Sequence, residues 1–339
     1  MTNEAPACGR PIYCEARGIN LTGNIVIEST AHLREVKRAL AVINPRSGDQ
    51  SGLLVAGWLA EIAGERGIQL IIRETEPEIS ARDLVQDATA FDRVIVSGGD
   101  GTIMQVINGL ARRNIPLAII PAGTGNALAM ALHLTPDLRR ACEEALDVAA
   151  LMPLDLGLLN GELYFALRLS VGYEARVTQD TTRELKTRFG KMAYAWQAIR
   201  HAMHLDAVHY RFEVDGRVLR RRAESVWVAN AGSLGVLDLS LDPGIAFDDS
   251  RLDLCVMRFT LRHDFQVILH RLFSHQRLPA SVLSHVPVRQ YVRIVAYPRQ
   301  PIQVDGEVVE ATTPCEVCVV PRAIQLCRAA SGLSNGQQA

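Results

Sequence analysis

Three short glycine-rich stretches carry the residue types that hold phosphate. They are Asn44-Pro45-Arg46-Ser47-Gly48, Ser97-Gly98-Gly99-Asp100-Gly101-Thr102 and Pro121-Ala122-Gly123-Thr124-Gly125-Asn126. Glycine lets the backbone come close to a ligand, and free N–H groups at a helix start favour an anion. The hydroxyls of Ser47, Thr102 and Thr124 add donors, and Asp100 offers a carboxylate to a metal ion or a proton. One such stretch is usually just a tight turn. Three, all rich in Ser, Thr or Asn, argue for a phosphate site. G-x-x-x-x-G-K-[ST] is absent, which excludes a P-loop NTPase, and no G-x-G-x-x-G follows the first strand, which argues against a Rossmann dehydrogenase.

The elements around these turns explain why they share one edge. Apolar patterning predicts strands at Ala39–Ile43, Leu70–Glu74, Val94–Ser97 and Leu117–Ile120. Helices are expected at Leu53–Arg66, at Ala81–Ala90 behind a Ser80 cap, and at Ile103–Ala111, Ala127–Leu132 and Arg139–Ala149. Strict strand–helix alternation with short links implies an α/β domain with a parallel sheet covered on both faces. Each glycine stretch then follows the carboxyl end of a strand, where open α/β sheets bind ligands. Beyond Leu154 the texture becomes mainly antiparallel β, with strands expected at Leu163–Ser170, Val208–Val214, Ser225–Asn230, Leu252–Arg258, Val292–Ala296, Ile302–Val304 and Cys315–Val320. Only Gly190–His204 and Leu261–Ser274 look helical there. Before Arg38, Ile12–Ala16 and Asn24–Glu28 read as short strands and Ala31–Lys37 as a short helix.

Composition sets the outer bounds. The 339 residues are enough for two domains, and Lys plus Arg (36) balances Asp plus Glu (37). No overall field favours nucleic acid, so membrane contact must come from a local patch. The first ten residues lack a signal-peptide pattern, and no apolar run reaches the roughly 18–20 residues of a membrane span; the expected location is the cytoplasm. Cys315 and Cys318 form a lone C-x-x-C, read as small residues of a β-segment rather than a zinc site. The nine histidines show no metal spacing.

Taken in order, the motifs resemble the diacylglycerol kinase catalytic family, which includes bacterial lipid kinases, ceramide kinases and sphingosine kinases. The resemblance runs from about Arg38 to Arg328. It covers N-P-R-S-G, the stretch from Ser97 to Gly109, and P-A-G-T-G-N-A-L-A from Pro121. It continues through D-L-G at Asp155–Gly157, S-V-G-Y-E-A at Ser170–Ala175, G-K-M-A-Y at Gly190–Tyr194, D-D-S-R-L-D-L at Asp248–Leu254 and V-D-G-E at Val304–Glu307. G-G-D-G-T alone is shared with NAD kinases; the later motifs are not.

The resemblance implies an α/β nucleotide domain (38–153, with 322–330 returning to it) and a β-sandwich lipid domain (154–321); outside it, residues 1–37 read as an N-terminal extension and the mostly polar 331–339 as a flexible tail. It implies an ATP- and Mg²⁺-dependent lipid kinase that meets a lipid hydroxyl, most simply diacylglycerol, peripherally at the inner membrane face, and it is compatible with a homodimer. Asn44, Ser47, Gly48, Thr75, Gly98, Gly99, Gly101, Thr102, Gly123, Thr124, Gly125 and Asn126 would line the ATP site. Asp100 would be base or metal contact, with Glu307 as its partner. On residues alone, Asp305-Gly306 reads as a plain hairpin turn.

The chain departs from the family pattern in places. Many members have Asp where this chain has Ala127, and Glu where it has Gln105. The metal-linked D-D-G reads Asp248-Asp249-Ser250 here, leaving Asp249 as the candidate metal contact. The acid that sphingosine kinases use for the sphingoid amine falls on Arg176, and a cation there disfavours an ammonium headgroup. A sphingoid-base or ceramide kinase, or a weakly active binding homologue, are the alternatives. Leu261–His275 reads as an amphipathic helix that packs on its sheet or lies on a membrane. Arg217 and Arg220–Arg222 read as solvated surface or as a site for anionic headgroups.

Overall fold

The computed structural model describes residues 35–48, 51–147, 149–172, 207–232, 244–258 and 281–329. The elements expected at 12–16, 24–28, 190–204 and 261–275, and the substrate candidate Arg176, lie outside these residues. So does most of the helix expected at 31–37.

Among the described residues, ten strands form one continuous sheet and six form a second. The first sheet begins with a parallel block: β1 (Arg38–Ile43), β2 (Gln69–Glu74), β3 (Arg93–Gly98) and β4 (Pro116–Pro121) in the order β2-β1-β3-β4. Strand β3 is buried at every position, as a strand covered on both faces must be. Helix α1 (Ser51–Glu65) buries Val55, Leu59, Ile62 and Ala63 at helical spacing. With α4 (Leu138–Leu146), whose N-cap Asp137 accepts the Arg140 N–H, it covers one face. Helices α2 (Asp100–Leu110) and α3 (Ala127–Ala131) cover the other.

The remaining strands are β5 (Ala149–Leu159), β6 (Leu163–Phe165), β7 (Arg168–Gly172), β8 (Val208–Val214), β9 (Arg217–Ala223), β10 (Ser225–Ala229), β11 (Leu252–Met257), β12 (Leu283–Val288), β13 (Tyr291–Tyr297), β14 (Pro301–Val304), β15 (Glu307–Thr312) and β16 (Cys315–Ala329). Strand β16 pairs in parallel with β4 at Gln325 and Leu326, and antiparallel with β5 and β13. The first sheet therefore runs on as β16-β13-β8-β9. The second sheet, β12-β11-β10-β7-β14-β15, stacks on that extension as a sandwich, with Phe212, Val292 and Val317 meeting Leu169, Val226, Leu254 and Ile302. The architecture is thus an α/β domain with a mostly parallel sheet and an antiparallel β-sandwich.

Three local expectations need correction. The helix predicted over Ala81–Ala90 is two 3₁₀ turns, Asp83–Val85 and Ala88–Ala90. Guanidinium groups of Arg73 and Arg113 claim the carbonyls of Leu84, Val85 and Gln86, and Arg73 also holds the Asp87 carboxylate in two bonds of 2.6 and 2.7 Å. Those bonds compete with an α-helical ladder for the same carbonyls. The strand predicted over Leu163–Ser170 is broken at Ala166 and Leu167, whose N–H groups both donate to Asp305. The strand begun at Cys315 runs on to Ala329, past a bulge between Val320 and Ile324. Cys315 and Cys318 sit in different core clusters, Cys315 in the sandwich and Cys318 under the α/β sheet.

Candidate functional site at the carboxyl edge of the parallel strands

Asn44, Thr75, Gly98 and Pro121 lie at the carboxyl ends of four adjacent strands, β1, β2, β3 and β4. Hydrogen bonds tie the turns that follow into one cradle. The Asn44 backbone N–H donates to the Ser97 carbonyl at 2.9 Å, and its side-chain Nδ2 donates to the Thr102 hydroxyl at 3.1 Å. Asn44 Oδ1 accepts the Arg46 N–H, and the Ser47 hydroxyl donates to the Asn44 carbonyl at 2.8 Å. The Thr75 N–H donates to the Ile43 carbonyl, which holds the end of β2 against β1. Thr124 and Gly125 stand exposed at the lip of the third turn.

The glycines are there because the turns touch. A Cβ on Gly123 would lie 2.3 Å from Gly99 Cα, and one on Gly98 would lie 2.7 Å from Thr102 Cβ. Gly48 has φ +56°, a left-handed conformation that strains other residues, and a Cβ there would meet the Ala122 carbonyl oxygen at 2.8 Å. Asn126, also left-handed at φ 51°, folds its amide back over the turn. Its Oδ1 accepts the Gly123 N–H, and its Nδ2 donates to the Pro121 and Gly123 carbonyls.

Asp100 joins the second turn to the third. It opens α2, yet its carboxylate turns to the start of α3, where Oδ2 accepts the Ala127 N–H at 3.0 Å and Oδ1 accepts the Leu128 N–H at 3.1 Å. The α3 N-cap residue, Asn126, makes no side-chain cap bond, so Asp100 satisfies those donors in its place. A Cβ on Gly125 would sit 3.1 Å from Asp100 Oδ2, which explains the second glycine of G-T-G. Ala127, the departure from the family pattern, contributes its backbone N–H to this contact. Gln105, the other departure, accepts the Ala81 N–H and the Ser80 hydroxyl through Oε1, a role a carboxylate would fill equally.

Glu307 arrives from the far end of the chain. Asp305 and Gly306 both have positive φ, 47° and 94°, between Val304 and its cross-strand partner Glu307, a two-residue hairpin of the kind Asp-Gly favours. The hairpin turn expected of Asp305-Gly306 is present. The hairpin sets Glu307 so that Oε1 lies 3.2 Å from where a Gly101 Cβ would stand, between Asp100 and Thr102. Glu307 is exposed, and no described residue engages its carboxylate. Asp305 is the anchor beneath it: Oδ2 accepts the Ala166 N–H, and Oδ1 accepts those of Leu167 and Arg168, all within 2.9 Å. Burial pushes the Asp305 carboxyl up to about 6, against the opposite pull of these three donors.

Two anchors carried a motif but no assigned role in the sequence. Asp155 of D-L-G is fully buried and accepts the Ser250 N–H at 2.6 Å and the Arg322 N–H at 2.7 Å, pinning the D-D-S loop and the β16 bulge. Burial raises its pKa, the two N–H bonds oppose that, and the nearby Asp249 and Asp248 charges add to it. Gly157 lies under Phe165, whose Cζ would be 2.0 Å from a Cβ. Asn108 donates to the Met104 and Tyr164 carbonyls and accepts the Tyr164 N–H, fastening α2 to β6. Its signal was an amide among the buried Val106, Ile107, Gly109 and Leu110.

Asp249 lies apart from the cradle's hydrogen-bond network. Its Oδ2 is 2.8 Å from Arg251 Nε, so a cation of the chain already faces it. Among the described residues no three His, Cys, Asp or Glu side chains group as a metal cage. A divalent ion fits here only as Mg²⁺ usually binds, with one or two carboxylates and the phosphates it accompanies.

The family profile described as the diacylglycerol kinase catalytic domain matches residues 38–158, and that of the YegS C-terminal NAD kinase beta sandwich-like domain matches residues 168–328. The chain belongs to the diacylglycerol kinase family of lipid kinases. It is 30% identical over 232 residues to a diacylglycerol kinase of Staphylococcus saprophyticus, covering 65% of this chain and 73% of the relative. A diacylglycerol kinase of Bacillus subtilis is 29% identical over 228 residues, 66% of this chain and 74% of its own. A solved diacylglycerol kinase structure from Bacillus anthracis shares the fold at TM-score 0.69 and 21% identity, across 88% of this chain and 99% of that one. No helix among the described residues is long and apolar enough to cross a membrane.

Proposed function

We propose that the protein transfers the γ-phosphoryl group of ATP, with Mg²⁺, to the hydroxyl of a neutral lipid, diacylglycerol or a close relative. The observation that carries this reading is the position of Glu307: an unengaged carboxylate from the second domain, set over Gly101 in the glycine cradle of the first. Phosphoryl transfer requires positioning, charge stabilisation and a carboxylate near the attacking hydroxyl, and little else from the protein.

The roles follow from the contacts. The turns at 44–48, 98–102 and 121–126 take the nucleotide phosphates, their glycines allowing the backbone to approach. Asp100, held by two N–H groups, fixes the spacing of the second and third turns and keeps a lone pair on each oxygen for a further partner. Mg²⁺, when bound, shields the phosphate charge; the carboxylates available to it in the cradle are Asp100 and Glu307. Glu307 is free to accept or orient the proton of the lipid hydroxyl. Relatives named diacylglycerol kinase support a glycerolipid acceptor over a sphingoid base.

The test is Mg²⁺-dependent transfer of labelled phosphate from ATP to diacylglycerol, monoacylglycerol, ceramide and sphingosine in neutral mixed micelles. Labelled diacylglycerol is expected from the wild type, with little or none from Asp100→Asn. Label in sphingosine alone overturns the acceptor class. No label in any lipid, despite ATP binding, overturns the lipid-kinase reading in favour of a soluble acceptor or a binding protein.

A further inference from the structure

The outer face of β13, β8 and β9 carries a concentration of positive charge that the catalytic reading does not use. Register places Tyr297, His209 and Arg222 in one cross-strand row, and Val295, Arg211 and Arg220 in the next. In an antiparallel sheet, directly opposed residues share a face. The inner face of the same strands, Val208, Tyr210 and Phe212 against Ile294 and Ala296, is buried in the sandwich. The two rows therefore point away from the core. His209, Arg211, Arg220 and Arg222 are exposed and line, with Tyr297, an open depression of about 480 Å³. The next row sets Glu213 between Arg293 and Val218, but Glu213 accepts the Tyr291 hydroxyl at 2.8 Å.

Among the described residues, none of Arg211, Arg220, Arg221 and Arg222 makes an ion pair. Arg221 and Arg222 donate only to backbone carbonyls, those of Arg220 and Ala207. The whole chain is close to neutral, so this patch is a local concentration and not a share of a general excess. Charges on an open edge strand often serve only to prevent edge-to-edge pairing. That accounts for arginines on β9, but not for Arg211 on β8, one strand in, nor for Tyr297 two strands in. Tyr297 is 69% exposed and Val218 48% exposed on the same face. Exposed aromatic and aliphatic groups interleaved with arginines match a bilayer interface, where cations meet phosphates and amphipathic rings sit at headgroup depth.

We propose that this face docks on an anionic phospholipid surface. The choice of a membrane as occupant rests on the lipid-kinase reading; the geometry and charge of the face do not. Docking here would hold the enzyme on the bilayer that contains its acceptor.

The full-length protein, without nucleotide, is sedimented with vesicles of phosphatidylcholine alone or with 30 mol% phosphatidylglycerol added. Wild type is expected to bind the anionic vesicles and to release as salt rises. Arg211→Gln/Arg220→Gln/Arg222→Gln should bind them about 100-fold more weakly, at roughly fivefold per arginine near an anionic surface. The same variant should keep wild-type turnover in neutral mixed micelles and an unchanged Tm, since these side chains are exposed. Equal binding to both vesicle types, or equal binding by the variant, overturns the proposal. Saturable binding of inorganic phosphate at the same arginines, without vesicle binding, overturns it in favour of a soluble anion. Because vesicle binding needs no turnover, loss of kinase activity and loss of docking are separate results.

Discussion

At the scale of single residues, the carboxylates of Asp100 and Glu307 are set up differently and should fail differently. Asp100 has both oxygens on backbone donors of α3, so Asp100→Asn turns an amide N–H₂ towards an N–H and loses a cap as well as a charge. We expect transfer to fall by about 10³-fold or more and stability by about 1 kcal/mol. Glu307 has no such tie, and Glu307→Gln should cut transfer by about 10²–10⁴-fold with Tm unchanged. Near-normal kcat in Glu307→Gln, measured at saturating ATP and lipid, would remove that residue from the chemistry. Asp305 gives a pH signature. Burial raises its folded-state pKa to about 6, above the ordinary range of a carboxylate, so between the two the native state holds more of the proton than the unfolded chain. Its contribution to stability is therefore present at low pH and falls as pH rises through about 6. The gap in urea stability between wild type and Asp305→Asn should be wider at pH 4.5 than at pH 7; a gap that grows towards pH 7 would show that the three N–H donors outweigh burial.

At the scale of elements, contact between turns matters more than the content of any one turn. Gly99 and Gly123 come from different strand ends and nearly touch. Gly123→Ala must therefore push the second turn off the third, because the nearest atom, Gly99 Cα, is backbone and cannot swing aside. Raised KM for ATP, by tenfold or more, is expected with the second domain still folded; an unchanged KM would mean the cradle tolerates the wider spacing. Strands β1, β3 and β4 were legible in the sequence because short apolar runs bounded by Gly and Pro leave few alternatives. The glycine cradle was legible for the same local reason. Elements decided by distant partners were not. The 81–90 segment has helical periodicity, but arginines at 73 and 113 take its carbonyls. The break at Ala166 is set by an aspartate 139 residues away. Asp100 stood out in the sequence as a candidate, but its partners on α3 were not legible, since no spacing rule foretells that a carboxylate opening one helix will cap another.

At the scale of the whole molecule, the chain is stitched from its end back to its middle. Strand β16 lies between β4 and β13, so the last described residues complete the parallel block that the first ones begin. Asp155 fixes the bulge where β16 passes from one half to the other, through the Arg322 N–H. Leu326 is fully buried in the cluster that contains Val94, Ile107 and Leu117, although it is more than two hundred positions from them. A cavity there should weaken the nucleotide half first. Leu326→Ala is expected to cost about 2–5 kcal/mol, as large-to-small changes in a packed core do. Hydrogen exchange can locate the loss: amides of β3 and β4 should exchange faster, while those of β10 and β11, across the sandwich, change little. Equal acceleration in both sheets would mean that the two halves unfold as one unit. The division near Leu154 would then describe the chain's texture and not its cooperativity. Faster exchange confined to β10 and β11 would place Leu326 in the wrong core altogether.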